Sequence, residues 1–120
     1  MKTAKTTMIG VATLLVTAVY SGGPAAQVED LAADGRTKSL QCVACHGPTG
    51  VSPNPMFPHL AGQNASYLEI QLERFKSGER YHPLMTPVAQ SLSRADIIAL
   101  ATYYSRIGPL AAATDTGTAP

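Results

Sequence analysis

Apolar side chains recur at helical spacing near the end of the chain. Four of them follow one another at i, i+3, i+4 and i+7, which places them on one face of a helix. They are Ile97, Leu100, Ala101 and Tyr104. Ser93 and Asp96 precede them in the S-x-x-D pattern of a helix start, and Gly108 and Pro109 are expected to end the helix.

A middle helix is predicted to begin near Asn64 to Ser66, because Ser66 and Glu69 form a second capping pattern. Its apolar face carries Leu68, Leu72 and Phe75. Gly78 is the expected stop, since glycine is favoured just past the end of a helix.

A first helix is predicted over about Asp30 to Val43, where the apolar pattern is weaker and Gly35 lies in the middle. A helical glycine costs about 0.5–1 kcal/mol relative to alanine, so this one needs a reason. Another helix crossing very closely would supply it, with Tyr103 or Tyr104 lying across the glycine. The alternative is a glycine tolerated near a frayed helix end.

The rest of the chain predicts an all-α domain with long loops, because no segment alternates apolar and polar residues as a strand does. Two proline-containing segments, 47–64 and 78–92, connect the helices, and loops of this length are usually functional. Their apolar side chains need packing partners that three short helices do not provide. These side chains are Val51, Met56, Phe57, Leu60, Leu84, Met85 and Val88. We therefore expect a large apolar cofactor to complete the core.

The N-terminal segment has the order of a secretory signal peptide: Lys2 and Lys5, then the uncharged run Met8 to Tyr20, then small residues. Thirteen helical residues reach about 20 Å, short of the roughly 30 Å core of a bilayer. Cleavage after Ala25 or Ala26 is thus expected, an uncleaved anchor being the alternative. The prediction is a signal peptide over 1–26, a domain over 27–108, a disordered tail over 109–120 and a periplasmic location, with no membrane span after cleavage.

The net charge of the chain argues against nucleic acid as a partner. Residues 27–120 carry seven Lys or Arg against eight Asp or Glu, a formal charge of −1, which gives nothing to recruit nucleic acid.

Both cysteines of the chain lie in "LQCVACHGPTG", as Cys42 and Cys45, with His46 directly after them. Structural zinc would need two further ligands at metal spacing, and a thioredoxin-like dithiol expects a βαβ context. A disulfide closing so short a loop would stabilise little. C-x-x-C-H is the signature of covalent haem c attachment. Cys42 and Cys45 are then the thioether tethers, and His46 is the proximal ligand of one haem iron.

Several groups compete for the sixth position on the iron. Met56 and His59 follow His46 too closely to pass around the edge of the ring. Met85 lies beyond the middle helix and is favoured; His82 is the runner-up, and an open site is the third option.

A metal-bound histidine usually donates its other ring proton to an acceptor, for which the Pro58 carbonyl is the candidate. The alternative is a proline that only stiffens its loop.

Over about Asp30 to Ile107 the sequence resembles the class I c-type cytochromes of bacterial electron transport. The segments that carry the resemblance are "CVACHG", "NPMFPHLAGQ", "YLEIQLERFKSGER", "HPLMTPVAQSLS" and "DIIALATYYS". They look most like one half of the dihaem cytochrome c4 type, or a single-haem relative. The resemblance implies a cytochrome c fold, with three main helices and long loops wrapped around one covalently attached haem.

By the same resemblance, Cys42 and Cys45 hold the haem, and His46 and Met85 bind its iron. The resemblance also implies that the Pro58 carbonyl accepts a hydrogen bond from the proximal imidazole. The family tryptophan beside the haem is absent, which leaves Gln63, Tyr67, Arg74 and Arg80 as propionate candidates.

The expected function is one-electron transfer, not enzymatic catalysis, by transient docking with respiratory or dehydrogenase partners. The alternatives are a haem subunit of a larger oxidoreductase and catalysis at a vacant iron.

Overall fold

The computed structural model describes residues 23–108, and within this range the chain is helical with no strand. The five helices are α1 (Pro24–Lys38), α2 (Val43–His46), α3 (Ala65–Ser77), α4 (Met85–Gln90) and α5 (Arg94–Arg106). A 3₁₀ turn, Ser39–Gln41, leads from α1 toward α2. The all-α prediction is confirmed, and two of the five helices are a single turn or little more.

Helix α1 begins six residues before the predicted start at Asp30 and gives way to the 3₁₀ turn after Lys38. Pro24 occupies its first position, where the missing N–H removes no hydrogen bond. The first turns are exposed, so no apolar repeat marked them. The predicted cleavage after Ala25 or Ala26 falls in this first turn and stays a prediction. The rest of the predicted signal, the predicted tail and the Pro109 stop lie outside the described residues.

Helices α1 and α5 cross at Gly35. A Cβ atom at this position would lie 2.1 Å from the Ala99 carbonyl oxygen and 2.7 Å from Tyr103 Cβ. The close crossing is therefore the correct explanation for the glycine, and the frayed-end alternative is wrong. Of the two candidate tyrosines, Tyr103 lies against Gly35, while Tyr104 is buried in the core.

The start of α5 is capped as predicted and is also bound to α1. Ser93 N–H donates to Asp96 Oδ2 at 2.8 Å, and Asp96 N–H donates to Ser93 Oγ at 3.1 Å. Lys38 Nζ lies 2.7 Å from Asp96 Oδ1. The hydrogen bond from Lys38, followed by those from Ser93, holds the pKa of Asp96 well below its usual range, and the same ion pair raises the pKa of Lys38.

The N-cap of helix α3 lies two residues before the predicted cap, Ser66. Asn64, not Ser66, is the cap, and its Oδ1 accepts from Tyr67 N–H at 3.0 Å. Asparagine caps as well as serine, so the earlier residue takes the role. Glu69, the other half of the predicted box, instead pairs with Arg94 at 3.0 Å. Gly78 ends the helix as predicted, in the left-handed conformation with φ of 82°.

The core lies where α3 packs against α5. Its buried members are Leu68, Leu92, Ile97, Leu100, Ala101 and Tyr104. Helix α4 packs on α3 and closes one side of the domain. Residues 78–92 were expected to form a loop, and the six-residue helix Met85–Gln90 corrects that expectation.

Candidate functional site

A cavity of about 360 Å³ lies between α2, α3, α5 and the two proline-containing segments. Its volume falls in the range of cofactor and ligand sites, and its lining is mostly apolar. Six of the seven loop side chains that needed packing partners face it; Val51 is the exception. From α3 and α5 the lining includes Leu68, Leu72, Phe75 and Leu100.

Cys42 and Cys45 both line this cavity because three positions of helical backbone bring them to one face. Cys42 is the N-cap of α2, and Cys45 lies within that helix. Their thiols are free, so the disulfide alternative is not realised. Burial raises the pKa of the Cys42 thiol, and a hydrogen bond with the Tyr104 side chain partly offsets that rise.

His46 ends α2, is only 5% exposed and lines the cavity next to the two thiols. Its Nδ1 lies 2.8 Å from the Pro58 carbonyl oxygen. A carbonyl can only accept, so Nδ1 carries a proton, and in the neutral ring the lone pair is on Nε2. Phe57 packs edge-on against the ring, with centroids 6.3 Å apart. The imidazole is therefore fixed in both tautomer and orientation, as a metal ligand requires.

The other two histidines also line the cavity but have the opposite tautomer. Ser52 N–H donates to His59 Nδ1 at 2.8 Å. Leu84 N–H and Met85 N–H donate to His82 Nδ1 at 3.2 and 3.3 Å. A ring nitrogen that accepts from an amide carries no proton, so in the neutral rings the proton is on Nε2. Of the three imidazoles, that of His46 alone offers a free Nε2 lone pair to a metal.

Two methionines border the cavity, and they differ in burial. Met85 is partly buried at the first position of α4, whereas Met56 is 81% exposed. The chain thus offers one thioether that is held in the wall and one that extends into solvent.

Ser52 was not singled out from the sequence, yet it connects the loop after α2 to the helix itself. It is buried, and its Oγ lies 2.9 Å from the Cys45 carbonyl oxygen, to which it can donate. Its N–H is the donor to His59. No local pattern marks such a residue, because its partners lie seven positions away in both directions.

Three of the four propionate candidates line the cavity: Gln63, Tyr67 and Arg80. Arg80 Nη1 donates to Gln71 Oε1 at 2.5 Å, and its guanidinium lies 4.4 Å from the Phe75 ring centroid. Arg74 is directed elsewhere and pairs with Glu79 at 3.2 Å.

These walls fit a covalently bound haem. They combine an apolar cavity, two free thiols on one helical face and an imidazole with its Nε2 lone pair available. Within residues 23–108, no three His, Cys, Asp or Glu side chains cluster as a metal-ion site, so the structural zinc alternative lacks a ligand set there.

Comparison with known proteins gives the family. Residues 32–105 match the family model of cytochrome c. Cytochrome c-554(548) of Halomonas halodenitrificans is 47% identical over 77 residues, which are 62% of this chain and 93% of that protein. The thiosulfate dehydrogenase electron acceptor of Thiomonas intermedia is 42% identical over 73 residues, which are 60% of this chain and 34% of that protein. Reduced recombinant cytochrome c4 from Pseudomonas stutzeri superposes with a TM-score of 0.60 at 35% identity, covering 67% of this chain and 50% of that chain.

The chain therefore belongs to the cytochrome c family. It corresponds to one half of a cytochrome c4, and it spans only a third to a half of the longer relatives. Its cofactor is covalently bound haem c, its function is electron transfer rather than enzymatic catalysis, and its partners are redox proteins. Among residues 23–108, no helix is long and apolar enough to cross a membrane.

Proposed function

We propose that this protein is a periplasmic one-electron carrier whose haem is tethered by Cys42 and Cys45 and whose iron is bound by His46 and Met85. The observation that carries this proposal is the convergence of these four side chains on one apolar cavity. The haem supplies the Fe(III)/Fe(II) couple. The chain supplies ligands, orientation and exclusion of water.

The tautomers favour Met85 over His82 as the sixth ligand. For His82 to bind a metal through Nε2, its proton would have to move to Nδ1, which already accepts two backbone amides. Met85 needs no such change, because a thioether carries no proton. A soft thioether stabilises the reduced iron and raises the potential, which suits a carrier.

The proximal side of the site is equally constrained. The Pro58 carbonyl holds the His46 proton on Nδ1, while Ser52 ties Cys45 to the following loop. These contacts keep the imidazole in one orientation whichever charge the iron carries, so little of the wall needs to rearrange when an electron moves.

Docking to partners is proposed to use the cavity mouth, where apolar side chains remain exposed. Leu84 is 55% exposed and Met56 81%, and both border the cavity. A small apolar rim suits brief redox encounters, which bury less than about 1,200 Å². Respiratory proteins and dehydrogenases are the partner classes we propose; one relative's name, thiosulfate dehydrogenase electron acceptor, supports the second class.

The name of the same relative is also compatible with a second candidate function, that of a haem subunit held permanently in an oxidoreductase complex. Gel filtration of the native protein from its own cells separates the two. We expect elution at the size of the free chain. Recovery only in a stable larger complex would favour the subunit.

We expect Met85→Ala to remove the weak far-red absorption band of ferric haem that reports sulfur bound to iron. The potential should fall by on the order of 0.2 V, within the roughly 0.8 V range that axial ligands cover. Visible spectroscopy and a redox titration measure both effects.

Met56→Ala is the matched control, because this exposed methionine borders the same cavity. It should leave the band and the potential unchanged. A band that persists in Met85→Ala would overturn the axial assignment.

A further inference from the structure

Helix α4 begins without the usual cap. Leu84 is its N-cap residue, and its side chain makes no capping hydrogen bond. Pro83 has no N–H, so the first backbone donors that need partners are those of Leu84, Met85 and Thr86. All three donate to one residue: Leu84 and Met85 to His82 Nδ1, and Thr86 to the His82 carbonyl oxygen at 2.9 Å.

The Thr86 side chain also accepts a hydrogen bond from His82. It is only 6% exposed, and its Oγ1 accepts from His82 N–H at 2.9 Å. Both the hydroxyl and the backbone N–H of Thr86 therefore bond to the backbone of His82, while the His82 ring accepts from Leu84 and Met85. Met85 lies between His82 and Thr86, and its N–H is one of the two donors to His82 Nδ1.

The chemistry of His82 matches this role better than that of a ligand. Its Nδ1 lone pair accepts backbone amides at the start of α4, as an Asp, Asn or Ser side chain usually does from the N-cap position, although His82 lies two residues before that position. A neutral ring does this without placing a carboxylate charge in the cavity wall, which His82 also lines.

We propose that His82 and Thr86 are positioning residues that hold the Met85 backbone in place and thereby keep its thioether on the iron. This inference rests on the proposed role of Met85 as an axial ligand. A sixth ligand on a helix of six residues depends on the capping of that helix, since helices this short have little stability of their own. Without the cap, Met85 leaves the iron more often and an added ligand takes its place.

The experiment titrates the ferric protein with imidazole and follows the far-red band. We expect His82→Ala and Thr86→Val to bind imidazole about tenfold more tightly than the wild type, since each removes hydrogen bonds of ordinary strength. His82→Asn places a carbonyl oxygen where Nδ1 was, and Thr86→Ser keeps the hydroxyl. Both should stay within about twofold of the wild type.

Ser93→Ala is the matched control. It removes the capping box of α5, and the two residues of that box, Ser93 and Asp96, do not line the cavity. The variant should lower thermal stability without changing imidazole affinity. Equal imidazole affinities in the wild type, His82→Ala and Thr86→Val would overturn the inference. If His82→Ala fails to fold, the Thr86→Val and Thr86→Ser pair decides it alone.

The two proposals fail in different ways. If Met85→Ala leaves the band unchanged, the axial assignment is wrong. If Met85→Ala abolishes the band but the His82 and Thr86 variants behave as the wild type, the assignment stands and the positioning role is wrong.

Discussion

Gly35→Ala will destabilise the protein, although the same change in an exposed helix normally stabilises it by about 0.4–1 kcal/mol. The added methyl carbon would lie 2.1 Å from the Ala99 carbonyl oxygen, a contact with backbone that no side-chain rotation relieves. Helices α1 and α5 must then separate. We expect a net loss of about 3 kcal/mol in the free energy of unfolding, at the upper end for overpacked sites.

Chemical denaturation of the haem-loaded protein measures this loss, and Ala33→Ser is a suitable control because Ala33 is exposed on the same helix. The control should change the free energy of unfolding by less than about 0.5–1 kcal/mol. If Gly35→Ala were as stable as the wild type, the helix crossing would have to be looser than the structure indicates.

Removal of the haem will unfold the domain. The cavity of about 360 Å³ is lined by core side chains of α3 and α5, among them Leu68 and Leu100, and these apolar walls lose their packing partner when the haem is absent. The cofactor is therefore part of the core.

The Cys42→Ala/Cys45→Ala double variant, purified without haem, provides the test. We expect a weak helical signal in circular dichroism and no cooperative thermal transition, while the haem-loaded wild type shows both. A haem-free chain with native helicity and a cooperative transition would contradict this expectation and would mean that the helices close the cavity themselves.

The fold was predictable where a local pattern sufficed. The Ser93 box and the Gly78 stop follow from residue type and spacing, and the Gly35 crossing was one of two alternatives that the sequence left open. Helix α4 was missed because prolines were interpreted as loop residues. Pro87 is in fact the third residue of that helix, within the first turn, where an N–H has no partner inside the helix.

The candidate site was likewise predictable from the sequence only in part. Cys42, Cys45 and His46 lie within five consecutive residues, so their joint placement on the cavity follows from helical geometry alone. The Pro58 contact spans twelve residues and was suggested from the sequence only as one of two alternatives. The role of Thr86 could not be predicted from the sequence. Its partner is the backbone N–H of His82, a loop residue, and no local pattern shows where that N–H points.

The opposite tautomers of the histidines restrict which ring can bind a metal once the chain has folded. In an unfolded chain no native main-chain hydrogen bond distinguishes the three imidazoles. Once the backbone is in place, amides occupy Nδ1 of His59 and His82, and binding the metal through either ring would break hydrogen bonds of the main chain. The folded backbone thus disfavours His59 and His82 as ligands and leaves His46 as the imidazole that would bind an iron at no such cost.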